Sequence, residues 1–331
     1  MSDAGTGAVV AAERWFAGHG LPYFVDDVRD GVRRGLARSR LVLVAAVALA
    51  VGAAAGAIVG LASQRLDTGL IVGAQAAIVV LLLYALTTLR AWAVARWALR
   101  RTLRSMGQLF PLVTRALPLL LLFVTFLFIN AEVWQVAAAL NGSVMWLTVA
   151  LFTAITVGFL LVRLPEELDV FDDELDNAAV LAGCRGTPLE AWAREHLAAQ
   201  GSLRSGDDRL AGLQKANLVL VLLIVQIVQV LLLALAVFVF FVAFGLLVMD
   251  PRTIEAWTGQ DSVHALPFLD RANIELLKVS VFLAAFSGLY FTVYAVTDEV
   301  YRKQFFTSIM RELERSVCAR AAYRAMRRNG L

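Results

Sequence analysis

Residues 41–61 read LVLVAAVALAVGAAAGAIVGL, a run without a single charge. A helix rises about 1.5 Å per residue, so about 20 apolar residues cross the roughly 30 Å hydrocarbon layer of a bilayer. The run meets that length. It exceeds the ~7–15-residue apolar stretch of a cleaved signal and stands behind a long polar arm, so it reads as a permanent span. Gly52, Gly56 and Gly60 recur every four residues within it and share one helix face. A face without Cβ atoms admits a second helix at close range. That helix belongs either to this chain or to another copy of it.

The same reading extends along the 331 residues, of which 60% are hydrophobic and 17% charged. A soluble domain carries about 45–50% apolar and about 25% charged residues. Five more apolar runs follow: 69–89, 116–136, 144–164, 217–249 and 276–296. In lipid each must satisfy its own backbone, so each is expected as a helix, and the alternation required by a membrane barrel is absent. The only proline near a helix centre is Pro118, close to the start of the third run, so discontinuous spans are not expected. The fold class is therefore all-α: a polytopic membrane protein of six transmembrane helices with cytoplasmic helical extensions.

Lys and Arg orient such a bundle because they concentrate in the cytoplasmic connections. Of the 30 present, only Arg65, Arg252, Arg271 and Lys278 lie in or beside the connections after the first, third and fifth runs. The rest fill the alternate segments, which places both termini in the cytoplasm of a plasma-membrane protein. The pI near 9.1 follows from that bias, so it does not call for a nucleic-acid partner. Five segments result. Residues 1–40 form a cytoplasmic or interfacial arm, and 41–164 the first four spans with a cytoplasmic connection over 90–115. Residues 165–215 form a cytoplasmic acidic and helical insert, 216–296 the last two spans, and 297–331 a cytoplasmic amphipathic helix.

Local patterns refine these segments. In the arm, a helix ends near Gly18–Gly20, LPYF follows, and a second helix starts at Asp26. Trp15, Phe16, Tyr23 and Phe24 beside clustered arginines suit headgroup depth, which predicts an interfacial elbow. Residues 90–110 extend the second span as a helix whose Trp92 and Trp97 intermingle with Arg96, Arg100, Arg101 and Arg104, a pattern suited to anionic headgroups. Residues 250–275 are expected to cap the far side. Thr187-Pro188 reads as the cap and first residue of a helix that leaves His196 exposed. In the tail, Leu313 and Val317 continue a four-residue apolar repeat begun at Tyr301, which predicts packing within the same protein, with self-association as the other outcome.

No motif commits the chain to a reaction, and no cofactor is implied. The acidic run 165–176 (PEELDVFDDELD) puts Asp169, Asp172, Asp173 and Asp176 on one helix face, an oxygen-rich surface with the chemistry for a divalent cation. Its spacing is not that of an EF-hand, and the acids also suit a helix start and pairing with nearby arginines. Cys184 and Cys318 lack metal or redox spacing and read as small buried hydrophobes. At membrane depth, Gln226 and Gln229 share a helix face; with Tyr290 and Tyr294 they either line a polar path or bond between helices.

The stretches ERWFAGHGLPYFV, LPEELDVFDDELD and TDEVYRKQFF leading into ELERSVCARAAYRA resemble uncharacterised integral membrane proteins widespread in actinobacteria. The resemblance implies topology and host, and that group has no assigned activity. Two functional expectations remain: a non-enzymatic protein whose cytoplasmic helices dock a protein partner or assemble copies in the bilayer, or a transporter or channel for a small solute or ion.

Overall fold

The apolar runs fold as the helices their length demands. The computed structural model describes the backbone of residues 3–104, 120–140, 142–172, 177–200, 212–266, 269–297 and 299–329; side chains are described over 7–103, 120–140, 142–164, 177–199, 212–264, 272–295 and 313–329. Among the described residues, five helices are long and apolar enough to cross a membrane: α3 (Arg38–Ser63), α4 (Leu66–Thr88), α8 (Gly142–Asp172, apolar to Leu164), α11 (Leu213–Val248) and α13 (Ile274–Thr297). A sixth crossing among the described residues requires α6 (described from Leu120 to Phe128) and α7 (Ala131–Ala139) to count as one span, and these are bent by 74°. The chain is a multi-pass helical membrane protein.

The third apolar run thus departs from the straight helix expected of it. Asn130 leaves the helical region and caps α7, its Oδ1 accepting the Glu132 N–H at 2.8 Å. A cap of this kind starts a new helix because it satisfies an otherwise orphaned N–H. The Trp134 indole N–H donates to the Phe128 carbonyl at 2.7 Å, bracing the bend. At the other end of α7, the Lys278 ammonium donates to the Ala138 carbonyl at 2.9 Å, where the helix dipole favours a cation.

Helices α3 and α4 pack as a hairpin that the glycines of α3 explain. A Cβ built on Gly52 would stand 2.7 Å from the Gly73 carbonyl oxygen, and one on Gly56 2.8 Å from that of Gly69. The stripe therefore serves a contact within the chain, with Gly69 and Gly73 of α4 as its complement. Little else covers the pair: 11% of the apolar window of α3 and 6% of that of α4 is buried, against 44% for α13. Gln75 of α4 donates to the Ser143 carbonyl at 2.5 Å, tying the hairpin to the start of α8. The centre of the bundle is α11 against α13.

Two cores lie at opposite ends of this bundle. At the arginine-poor end, Phe128, Trp134, Phe241, Leu276 and Ile254 pack together, with Phe128 stacked on Phe241 at 4.8 Å. Helix α12 (Pro251–Thr258) closes this end over α7. It is followed by a small antiparallel pair, β1 (Ala265–Leu266) and β2 (Leu269–Asn273), in which Leu266 faces Leu269. Among the described residues this pair is the one addition to the all-α expectation. Of the segment 250–275 expected to cap this end, α12 is the part seen to pack on the bundle.

At the arginine-rich end, α1 (Asp3–Gly18), a 3-10 turn (Pro22–Phe24), α2 (Asp26–Gly35), α5 (Ala91–Arg104), α9 (Asn177–Gly183), α10 (Glu190–Gln200) and α14 (Glu299–Arg328) gather round the ends of α8 and α11. Two expectations are corrected here. Phe16, Tyr23 and Phe24 are fully buried in protein instead of resting at headgroup depth. The C-terminal helix supplies the cover: Phe16 meets Tyr323 at 5.7 Å and Phe24 at 5.4 Å, both edge to face. Second, α5 does not continue α4. Arg90 takes a positive φ of 47° between them, and the Tyr23 hydroxyl donates to the Leu89 carbonyl at 2.7 Å, holding the kink open.

Candidate functional site

The arginine-rich end holds a set of buried polar contacts that join segments far apart in sequence. Asn217, near the start of α11, has no exposure. Its Oδ1 accepts the Tyr23 N–H at 2.7 Å and its Nδ2 donates to the Gly20 carbonyl at 3.2 Å. One side chain thus satisfies two backbone groups of the turn between α1 and α2, which have no ladder partner to fall back on. One turn earlier, Gln214 accepts from Nε of Arg320 at 2.9 Å, and Arg320 is 2% exposed. The Tyr323 hydroxyl donates to Glu13 at 2.8 Å. Arg315 donates to the Arg185 carbonyl, and Arg327 approaches Asp26 at 3.9 Å.

The helices meet here because small residues stand where they touch. Gly183 of α9 faces Cys318 of α14 so closely that a Cβ would lie 2.4 Å from the cysteine Cβ. Cys184 and Cys318 are both buried, as expected of small hydrophobes. Burial, with Glu190 adding to it and Arg315 opposing, pushes the Cys184 thiol up to about 12, which suppresses thiolate chemistry. Thr187 caps the next helix through the Leu189 N–H at 3.3 Å, and Glu190 reaches back to the Gly186 N–H at 2.7 Å. His196, expected to be exposed, stacks on Trp192 at 4.4 Å and is half-buried. In α14, Leu313 and Val317 face inward with Ala321, Ala322 and Met326, so the described part of the tail packs within the protein.

Other expected site residues are dispersed. Gln226 of α11 is fully buried, and among the described residues neither its Oε1 nor its Nε2 has a hydrogen-bond partner; the Oε1 of Gln229 likewise has none there. Tyr290 is 37% exposed and stacks on Phe123 at 5.5 Å and on Tyr294 at 6.4 Å, so it looks outward. Of the acidic face, Asp173 and Asp176 lie outside the described residues, and the side chains of Asp169 and Asp172 are not described. Among the described residues no group of three or more His, Cys, Asp or Glu is placed to hold a metal. The glycine hairpin carries a groove of about 620 Å³ lined by Leu49, Gly52, Gly56, Gly60, Gly69 and Gly73, among others.

Sequence reading missed Asn217, Gln214 and Arg320. The signal available was a pair of amides one turn apart at the threshold of the longest apolar run, where a span has no need of polar groups. Comparison of the chain with protein-family models, with curated proteins and with solved structures gives no match.

Proposed function

We propose that this is a six-span protein of the plasma membrane whose cytoplasmic layer is a preformed platform for docking a partner protein or further copies, without catalytic chemistry of its own. The observation that carries the reading is the polar stitching of the arginine-rich end. Asn217, Gln214–Arg320 and Glu13–Tyr323 tie the first, middle and last segments of the chain into one packed body. Loose positive tails would not need buried hydrogen bonds, each of which must repay desolvation. The charge bias supports the cytoplasmic assignment of that end. Cross-linking mass spectrometry on membranes carrying the full chain tests the proposal. Intermolecular links are expected to cluster on α1 and α10. A protein that remains a single copy, with no such links, overturns it.

The unpaired amide of Gln226 and the broken α6–α7 pair favour transport as the second reading, since polar groups and helix breaks at membrane depth often mark solute paths. Gln226→Leu separates the two. Under transport it abolishes flux into proteoliposomes. Under the docking reading it removes an unpaired polar group and raises stability by about 1–3 kcal/mol.

A further inference from the structure

The kink at Arg90 turns α5 so that it presents two unlike faces. Ala91, Val94, Ala98 and Thr102 are buried against the protein. Trp92, Arg96, Leu99, Arg100 and Leu103 are exposed on the opposite side, Trp92 at 67%. The Arg96 guanidinium sits 5.9 Å from the Trp92 ring centroid. Large apolar groups interleaved with arginine on an uncovered helix face suit neither bulk water nor hydrocarbon. They suit the headgroup layer, where ring and methylene groups enter the acyl boundary while the charges meet phosphate.

A second basic element lies at the same level. The carbonyl of Gly35, at the end of α2, accepts the Tyr84 hydroxyl at 2.7 Å, and a Cβ on Gly35 would fall 2.4 Å from Thr88. The turn from α2 into α3 is therefore pinned two residues before Arg90. It carries exposed Arg33, Arg34, Arg38 and Arg40 with exposed Leu36 and Leu41. Among the described residues, the acids of this element are Asp26, taken by Arg29 at 2.5 Å, and Asp27 and Asp30, which stand on α2.

We infer that the α2–α3 turn and the outer face of α5 form an anionic-phospholipid site, in which the arginines hold a headgroup phosphate and Trp92, Leu36 and Leu99 border its acyl chains. The charge complementarity is the argument for the occupant. Topological bias accounts for arginines at this end, but not for the tryptophan and leucines exposed in the same stripe.

The test uses full-length protein in detergent, titrated with phosphatidylglycerol or phosphatidylcholine and read by native mass spectrometry for retained lipid. Each arginine near a charged lipid surface contributes about 1 kcal/mol, so Arg96→Gln with Arg100→Gln is expected to weaken phosphatidylglycerol retention about thirtyfold. Arg38→Gln with Arg40→Gln does the same, while Arg96→Lys with Arg100→Lys retains most of the binding. Arg65→Gln with Arg252→Gln, at the arginine-poor end, leaves it unchanged. Equal retention of the two lipids, or an equal loss in the Arg65/Arg252 variant, overturns the assignment. Glycerol phosphate without acyl chains competing as well as the lipid also overturns it.

Discussion

Gly69→Ala measures the closeness of the α3–α4 hairpin directly. A Cβ at Gly69 would stand 2.6 Å from the Gly56 carbonyl oxygen and 2.9 Å from the Gly60 Cα, whereas ordinary contact begins at 3.4 Å. The helices must therefore part by most of 0.8 Å at that point, and both obstacles are backbone, which cannot rotate away. Overpacking of this kind costs about 1–3 kcal/mol, so the hairpin opens about 5- to 150-fold more often. Adding Gly73→Ala costs less than a second full increment, since the first substitution has already moved α3 away. Gly158→Ala on α8 is the internal control. Nothing lies within 4 Å of its Cβ position, so alanine should improve the helix by about 0.5–1 kcal/mol. The assay is unfolding in mixed micelles of rising SDS fraction, with amide exchange locating the change to α3 and α4. Equal behaviour of Gly69→Ala and Gly158→Ala would refute the close backbone contact.

Three further outcomes follow from the polar contacts. Asn217→Leu leaves the Tyr23 N–H and the Gly20 carbonyl buried without partners, a loss of about 1–3 kcal/mol for each group; a thermal midpoint within a degree of the parent would contradict this. Burial raises the Tyr23 hydroxyl and the Cys184 thiol to about 12 and raises Tyr323 as well, aided by Glu13. The unfolded chain therefore releases these protons first, so their stabilisation is complete below pH 9 and is lost as the pH climbs through about 12. Midpoints should fall across that window, with a shallower fall in Tyr23→Phe plus Cys184→Ser; parallel slopes would count against the assignment. Lys278→Met removes the cation at the end of α7, and the α7 amides should then exchange about 3- to 5-fold faster at low salt, as expected from a dipole contribution of about 0.7–1 kcal/mol.

The helices that were legible in the sequence were those whose cause is local. The run 41–61 needs only its own apolarity to be a helix, and its glycines need only their spacing to announce close packing. The kink at Arg90 was not legible, because a non-glycine residue with positive φ is costly in isolation and exists here through the Tyr23 hydroxyl, remote in sequence. The bend at Asn130 had a readable cue in Asn130 followed by Glu132, the composition of a helix start, but the apolar residues on both sides outweighed it. The aromatic residues of the arm were ambiguous for a physical reason. A ring beside arginine is equally at home at a headgroup or under a covering helix, and only the inward face of α14 decided the matter. Asn217, Gln214 and Arg320 were hidden for the same reason, since their partners lie 106 to 197 residues away.

That long reach bears on how the protein is made. Glu13 and Tyr323 are separated by 310 positions. At the ribosome's pace of about 5–20 residues per second, the arm emerges about 15–60 seconds before the helix that covers it. During that interval Phe16, Tyr23 and Phe24 lack their final shelter. The nascent chain must keep them out of reach of other unfinished chains until α14 arrives. Biogenesis, more than the mature fold, then sets the demand for shielding, and shortening the C terminus should expose the arm to proteases and quality control even when every membrane helix has been correctly inserted.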